Sequence, residues 1–208
     1  MTTRVKICGI NSPAALDAAA DAGADWIGYV FFPPSPRAVT PLQAAALDAR
    51  RRGPARVGLF VDPSNDDVAR ALDAVSLDVL QVHALPKRTA EVRARFGVPI
   101  WQVVGVGAVT DLPASATGVD GLLLDSKPPA DATRPGGNAL AFDWSLLRGW
   151  KAPLPWLLAG GLTPGNVAGA VRMSGASAVD VSSGVESSRG VKDAGLIQAF
   201  VQAARSGG

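Results

Sequence analysis

Apolar residues along the chain fall into eight short, nearly continuous runs, separated by longer Ala-rich stretches with helical spacing of apolar and polar positions. The runs are Val5–Cys8, Trp26–Phe31, Val57–Val61, Val79–Val82, Ile100–Val104, Gly121–Asp125, Trp156–Ala159 and Ala178–Val181. Such runs, rich in β-branched residues, fit parallel strands buried on both faces. Between them stand helix start and stop signals. Ser12-Pro13 opens a run of strong helix formers, Ala14–Ala22, that Gly23 is placed to end. Thr40-Pro41 opens a second helix followed by Gly53, and Pro63-Ser64 precedes a third. Thr163-Pro164 opens the seventh, and Gly190–Asp193 leads into a last helix reaching Ala204. The fourth and sixth, near Pro86–Phe96 and Asp143–Leu147, carry weaker signals.

Eight strands, each followed by a helix or tight turn, predict a (βα)8 barrel, α/β in class, with residues 1–208 forming one domain. A doubly wound open sheet is the alternative arrangement of the same pattern. Barrels of this type usually need about 250 residues and rarely fewer than about 200. With 208 residues the helices and loops must be short.

Composition narrows the function classes. Apolar residues make up 48% and charged residues 18%, the balance of an ordinary folded chain rather than a disordered one. The formal net charge is +2, and the densest basic cluster, Arg50-Arg51-Arg52, falls at an expected helix end, where cations complement the dipole. No nucleic-acid partner is expected from that pattern. One cysteine, Cys8, excludes an intramolecular disulfide and four-Cys metal sites, and His83 is the single histidine. Neither a signal-peptide core nor an apolar run of about 18 residues is present, so a soluble, cytoplasmic protein without a membrane partner is expected.

In a (βα)8 barrel the reactive groups stand at the C-terminal ends of the strands. Applied here, that rule selects Cys8, His83, Asp125, and Asp180 with Ser182-Ser183-Gly184, together with Arg37 in the proline-stiffened loop after strand 2. Gly160-Gly161 after strand 7 and Ser182-Ser183-Gly184 after strand 8 together suit a phosphate site, because backbone N–H groups and a helix start can cradle an anion. Ordinary turn chemistry is the competing explanation. A lone cysteine is most often an inert core residue. Asp125 closes the run Leu122-Leu123-Leu124, so it needs either a partner or a role there; capping the loop is one option. Arg37 can clamp a carboxylate or stand in solvent, and His83 can simply satisfy a backbone carbonyl. The Pro- and Gly-rich stretch Ser126–Ala141 is long enough to be a functional lid or a tolerated insertion.

Taken with their neighbours, these positions resemble the phosphoribosylanthranilate isomerase family of tryptophan biosynthesis. The likeness begins with Val5-Lys6-Ile7-Cys8-Gly9-Ile10, then Gly28-Tyr29-Val30-Phe31 and Ser35-Pro36-Arg37. It continues through Val57-Gly58-Leu59-Phe60-Val61, Leu80-Gln81-Val82-His83, Leu122-Leu123-Leu124-Asp125-Ser126, Gly136-Gly137 and Phe142-Asp143-Trp144. Gly160-Gly161-Leu162-Thr163-Pro164 and Ala178-Val179-Asp180-Val181-Ser182-Ser183-Gly184-Val185-Glu186 complete it. Three departures stand out. Ala84-Leu85-Pro86 follows His83 in place of glycine and an acidic residue. Asn138-Ala139-Leu140-Ala141 follows Gly136-Gly137 in place of a Thr-Gly pair, and Arg189 replaces a common proline.

The resemblance implies a cofactor-free, metal-free Amadori rearrangement of a phosphorylated aminosugar, carried out by a monomer or homodimer. It makes Cys8 the general base and Asp125 the general acid, with Arg37 on the anthranilate carboxylate. Gln81, His83 and Asp180 line the substrate site, and Gly160, Gly161, Ser182, Ser183 and Gly184 take the phosphate. Lys6 lies two residues before Cys8 on one strand, so both can point into the barrel, where the ammonium would favour a thiolate.

Overall fold

The computed structural model describes residues 2–49, 53–127 and 142–208. Arg50–Arg52 and most of the stretch 126–141, including Gly136-Gly137, lie outside them. Eight parallel strands close into a barrel in chain order: β1 (Arg4–Cys8), β2 (Trp26–Val30), β3 (Ala55–Val61), β4 (Val79–His83), β5 (Ile100–Val106), β6 (Gly121–Ser126), β7 (Trp156–Leu158) and β8 (Ala178–Val181). Closure comes from β1 against β8, with Lys6 opposite Asp180 and Ile7 opposite Val181. The barrel, not the open sheet, is therefore the fold.

Among the described residues six α-helices surround it: α1 (Pro13–Asp21), α2 (Pro41–Asp48), α3 (Asn65–Ala74), α4 (Pro86–Phe96), α5 (Val167–Ser174) and α6 (Ala194–Ser206). The first three are capped as the sequence predicts. Ser12 accepts from Ala15 N–H, while Thr40 and Ser64 each close a reciprocal capping box. Strand β5 is followed by a 3₁₀ turn (Val109–Asp111), and among the described residues between β6 and β7 there is another (Trp144–Leu147) that Asp143 caps through Ser145 N–H. The short β5–β6 connection, with a turn in place of a full helix, is one way so short a chain completes eight strands.

Two details differ from expectation. Helix α5 starts at Val167 rather than beside Pro164, because residues 164–166 form a turn. Asn166 fastens that turn by accepting from Thr163 N–H at 2.8 Å and donating to the Gly161 carbonyl at 2.9 Å. Beyond β8 lies a 3₁₀ turn (Ser183–Val185), then a small antiparallel hairpin of β9 (Glu186–Ser188) and β10 (Val191–Lys192).

Strand alternation separates two cores. Ile7, Ile27, Phe60, Leu80, Val82, Leu122, Leu124 and Leu158 face outward against the helices. Trp26, Val57, Val79, Leu123, Leu157, Ala159 and Ala178 form the smaller cluster inside the barrel. At its lower end Trp26 meets Trp101 edge to face at 5.3 Å, with the Arg4 guanidinium 3.8 Å from the Trp26 ring. Full burial of one such aliphatic or aromatic side chain contributes about 1.5–3 kcal/mol. The lower barrel is thus packed apolar matter, and polar inward-facing residues collect at the upper rim.

Candidate active site

The pocket at the C-terminal rim is lined by Cys8, Arg37, Gln81, His83, Asp125 and Asp180, with Gly160, Gly161, Ser182, Ser183 and Gly184 along one wall. All the residues expected from the sequence to carry chemistry or bind substrate line it, while Lys6, expected beside Cys8, is not among the lining residues. Cys8 ends β1, Gln81 and His83 end β4, Asp125 stands near the end of β6, and Asp180 lies on β8. Residues 172 positions apart are neighbours because β1 pairs with β8.

Cys8 is buried, and its sulfur fits because position 28 on the adjacent strand is glycine. A Cβ on Gly28 would lie 2.9 Å from the Cys8 sulfur and 3.2 Å from Lys6 Nζ. Lys6 is fully buried, and its ammonium donates to Asp180 Oδ1 at 2.8 Å. Burial alone would depress the Lys6 pKa, but Asp180 and Cys8 outweigh it and leave it raised. The thiol departs from expectation. Burial is its largest influence and pushes it above the ordinary range; Lys6 pulls it down, and the Asp180 carboxylate pushes it up again. Burial outweighs the pull of Lys6, which is also bonded to Asp180, so the thiol form of Cys8 is favoured.

Asp125 is tuned in the direction an acid needs. Burial first, and repulsion by Asp180 second, raise it to about 7 against the pull of the Ser126 N–H and hydroxyl. It keeps a proton on a good fraction of molecules at neutral pH. His83 is shifted the other way, to about 4, by burial and by the Lys6 charge, so it is a neutral imidazole. Gln81 is buried with its side-chain oxygen unpartnered among the described residues, which leaves an acceptor at the pocket wall.

The glycine and serine loops form the opposite wall. Gly160 and Gly161 both hold left-handed backbones, with φ of 83° and 63°. A Cβ on Gly160 would meet Ser126 N at 2.7 Å and Asp125 Oδ1 at 3.1 Å, so the loop after β7 presses directly on the candidate acid. The first N–H groups of the 3₁₀ turn beginning at Ser183 have no partner within that turn and suit an anion.

Arg37 is 5% exposed and its guanidinium is already half engaged, with Nε and Nη2 donating to the Glu186 carboxylate at 2.6 and 2.9 Å. Glu186 and Lys192 had no role assigned from sequence. Glu186 was visible only as the end of a motif, and a two-residue strand carrying Lys192 has no periodicity to detect. Among the described residues no group of three or more His, Cys, Asp or Glu side chains is placed to hold a metal ion, and no helix is long and apolar enough to cross a membrane.

Comparison with known proteins bears on the family and the fold. The family model for N-(5'phosphoribosyl)anthranilate (PRA) isomerase matches residues 5–203. The N-(5'-phosphoribosyl)anthranilate isomerase of Acidiphilium cryptum is 55% identical over 203 residues, covering 98% of each chain. A crystal structure of TrpF from Jonesia denitrificans superposes with a TM-score of 0.81 at 36% identity, over 98% of this chain and 97% of that one. A phosphoribosyl anthranilate isomerase solved with reduced 1-(o-carboxyphenylamino)-1-deoxyribulose 5-phosphate superposes with a TM-score of 0.82 at 30% identity, over 97% of this chain and 98% of the other.

Proposed function

Since this chain belongs to the N-(5'-phosphoribosyl)anthranilate isomerase family, we propose that Cys8 and Asp125 are the base and the acid of its rearrangement. The enzyme is an isomerase of tryptophan biosynthesis, converting an aldose-type aminosugar into the 1-amino-1-deoxyketose. One observation supports the assignment above the others: Cys8, Asp125, Arg37 and the two glycine/serine loops all open on the same pocket.

Protonated Asp125 gives its proton to the furanose ring oxygen as the C1–O bond breaks and the nitrogen lone pair forms the C=N bond of a Schiff base. The Cys8 thiolate then removes the proton from C2. The C–H electron pair becomes a C1=C2 bond, and the C=N pair returns to nitrogen, giving an enolamine. Protonation at C1, with loss of the proton from the C2 hydroxyl, yields the ketone. Each transfer needs a group in the required state at the required place, worth about 10²–10⁴-fold apiece. Asp125 near 7 suits donation at neutral pH. Cys8 must ionise first, and Lys6 is the cation beside it that stabilises the anion.

The remaining residues bind. Gly160, Gly161, Ser182, Ser183 and Gly184 take the phosphate through backbone N–H groups and hydroxyls. Arg37 takes the anthranilate carboxylate, while neutral His83, Gln81 and Asp180 contact the sugar hydroxyls. Residues 1–208 act as one unit, monomer or homodimer, since every group named comes from one chain. A free thiol as base suits the reducing cytoplasm.

The test is turnover of freshly prepared N-(5'-phosphoribosyl)anthranilate, followed by loss of its fluorescence. Cys8→Ala and Asp125→Asn are each expected to lower kcat roughly 10²–10⁴-fold. Near-normal turnover in either variant removes that residue from the mechanism.

A further inference from the structure

Arg37, Glu186 and Lys192 form a buried cluster whose bonding goes beyond holding a loop in place. The side chains are 6%, 4% and 0% exposed. Glu186 Oε1 accepts from Arg37 Nε at 2.6 Å and from Lys192 Nζ at 2.8 Å. Its Oε2 accepts from Arg37 Nη2 at 2.9 Å and from Gly190 N–H at 3.0 Å. Every lone-pair direction of the carboxylate is thereby used.

The geometry at Arg37 is specific. A guanidinium offers a side-on fork, Nε with Nη2, and an end-on fork, Nη1 with the second Nη2 hydrogen. Glu186 occupies the side-on fork, and the end-on fork remains for a second planar anion. Charge points the same way. The cluster holds two cations and one carboxylate, a surplus of one positive charge in a buried place, which a ligand carboxylate would neutralise. The seat is shaped to keep Arg37 still: a Cβ on Gly9 would come within 2.8 Å of Arg37 Cδ, and Gly9 holds φ of 82°.

Lys192 extends the network to the other end of the site. Besides Glu186 it donates to the Ser182 carbonyl at 2.9 Å, and the Ser182 hydroxyl donates to the Cys8 carbonyl at 3.2 Å. The carboxylate end, the phosphate loop and the strand of the candidate base are thus joined through one glutamate.

We propose that Glu186 is a positioning residue: it fixes Arg37 side-on so that the end-on fork is aimed at the substrate's aryl carboxylate, and through Lys192 it registers that clamp against the phosphate loop. This rests on Arg37 being the carboxylate clamp. The test is a double-mutant cycle of Glu186→Gln and Arg37→Ala, read by calorimetric binding of reduced 1-(o-carboxyphenylamino)-1-deoxyribulose 5-phosphate and of its counterpart lacking the carboxyl group. Glu186→Gln is expected to weaken the carboxylated ligand roughly 10- to 100-fold, the worth of a lost charge-assisted bond. It should leave the decarboxylated ligand within about twofold, and add little once Arg37 is alanine. In turnover, KM should rise with kcat changed far less.

Equal losses on both ligands, or an undiminished loss in the Arg37→Ala background, overturn the inference and leave Glu186 a role in the fold alone. Tighter binding of the carboxylated ligand also overturns it, since Glu186 would then be a competitor for Arg37. Arg37→Ala by itself separates the two readings. If that substitution weakens both ligands alike, the clamp fails; if it weakens the carboxylated ligand selectively and Glu186→Gln does not, only the positioning role fails. Should Glu186→Gln not fold, Glu186→Asp takes its place: the side chain one methylene shorter keeps the charge but draws the carboxylate back from Arg37, and an unchanged affinity for the carboxylated ligand would refute the proposal.

Discussion

Asp125 should make the folded protein less stable as pH rises, and its removal should abolish that loss. The carboxyl is moved from an ordinary 3.8 to about 7 by burial and by Asp180. A group whose folded pKa is raised binds its proton more tightly in the native state. Its contribution is fully present below about pH 3.8 and is lost as pH climbs through 7. At 1.36 kcal/mol per pH unit, the interval from 3.8 to 7 corresponds to about 4 kcal/mol. That is a large part of the roughly 5–15 kcal/mol stability of an ordinary domain. The assay is urea denaturation of wild type and Asp125→Asn in parallel from pH 4 to 8.5. Comparing the two at each pH cancels the titrating groups that are not coupled to Asp125. The stability of Asp125→Asn relative to wild type should grow between pH 4 and 7 by up to about 4 kcal/mol and level off above it. A difference that stays constant across the range would show that Asp125 titrates like a solvated carboxylate, and its suitability as an acid at neutral pH would go with it.

The rate profile should carry the same two groups. With Asp125 near 7 and Cys8 above the ordinary thiol range, the productive form pairs a protonated acid with an ionised base. Wild-type kcat/KM should therefore rise to about pH 7, stay flat, and fall once the thiol has ionised, whereas the residual activity of Asp125→Asn should keep rising through pH 7. A residual rate that also levels off near 7 would assign that limb elsewhere. His83, held at about 4, should contribute no limb near 6.5, so His83→Asn should alter KM without moving the profile. Gly28→Ala puts a methyl 2.9 Å from the Cys8 sulfur and should cost activity on the scale of losing the base while destabilising by roughly 1–3 kcal/mol; unchanged turnover would mean the thiol can sit elsewhere.

Much of the architecture is legible in the sequence, and the reason lies in local physics. Strands such as Leu122–Leu124 and Val79–Val82 are written as apolar runs because parallel strands are covered on both faces. Helices α1 to α3 announce themselves through Ser12, Thr40 and Ser64, whose caps are satisfied within three residues. The positions of Cys8, His83 and Asp125 followed from the rule that chemistry sits at strand ends. What stayed hidden was long-range. Lys6 and Asp180 are 174 residues apart, and Arg37 and Glu186 are 149 apart, so nothing local marks either pair. The raised thiol of Cys8 is long-range in origin too: the barrel buries it, and the ammonium beside it is also bonded to a carboxylate from the far end of the chain.

The apolar plug beneath the pocket bears on how this enzyme can change over generations. Trp26, Val57, Val79, Trp101, Leu123 and Leu157 fill the lower barrel, and none of them lines the pocket above. Cohesion and reactivity therefore occupy different storeys of one cylinder. Substitutions at the rim alter what is recognised while the lower storey keeps the cylinder closed, so new specificities are reachable by few steps without passing through unfolded intermediates. The buried Lys6–Asp180 bond is the exception, because it staples the closing seam and tunes both proton carriers at once. It is where a lineage would have least freedom to drift.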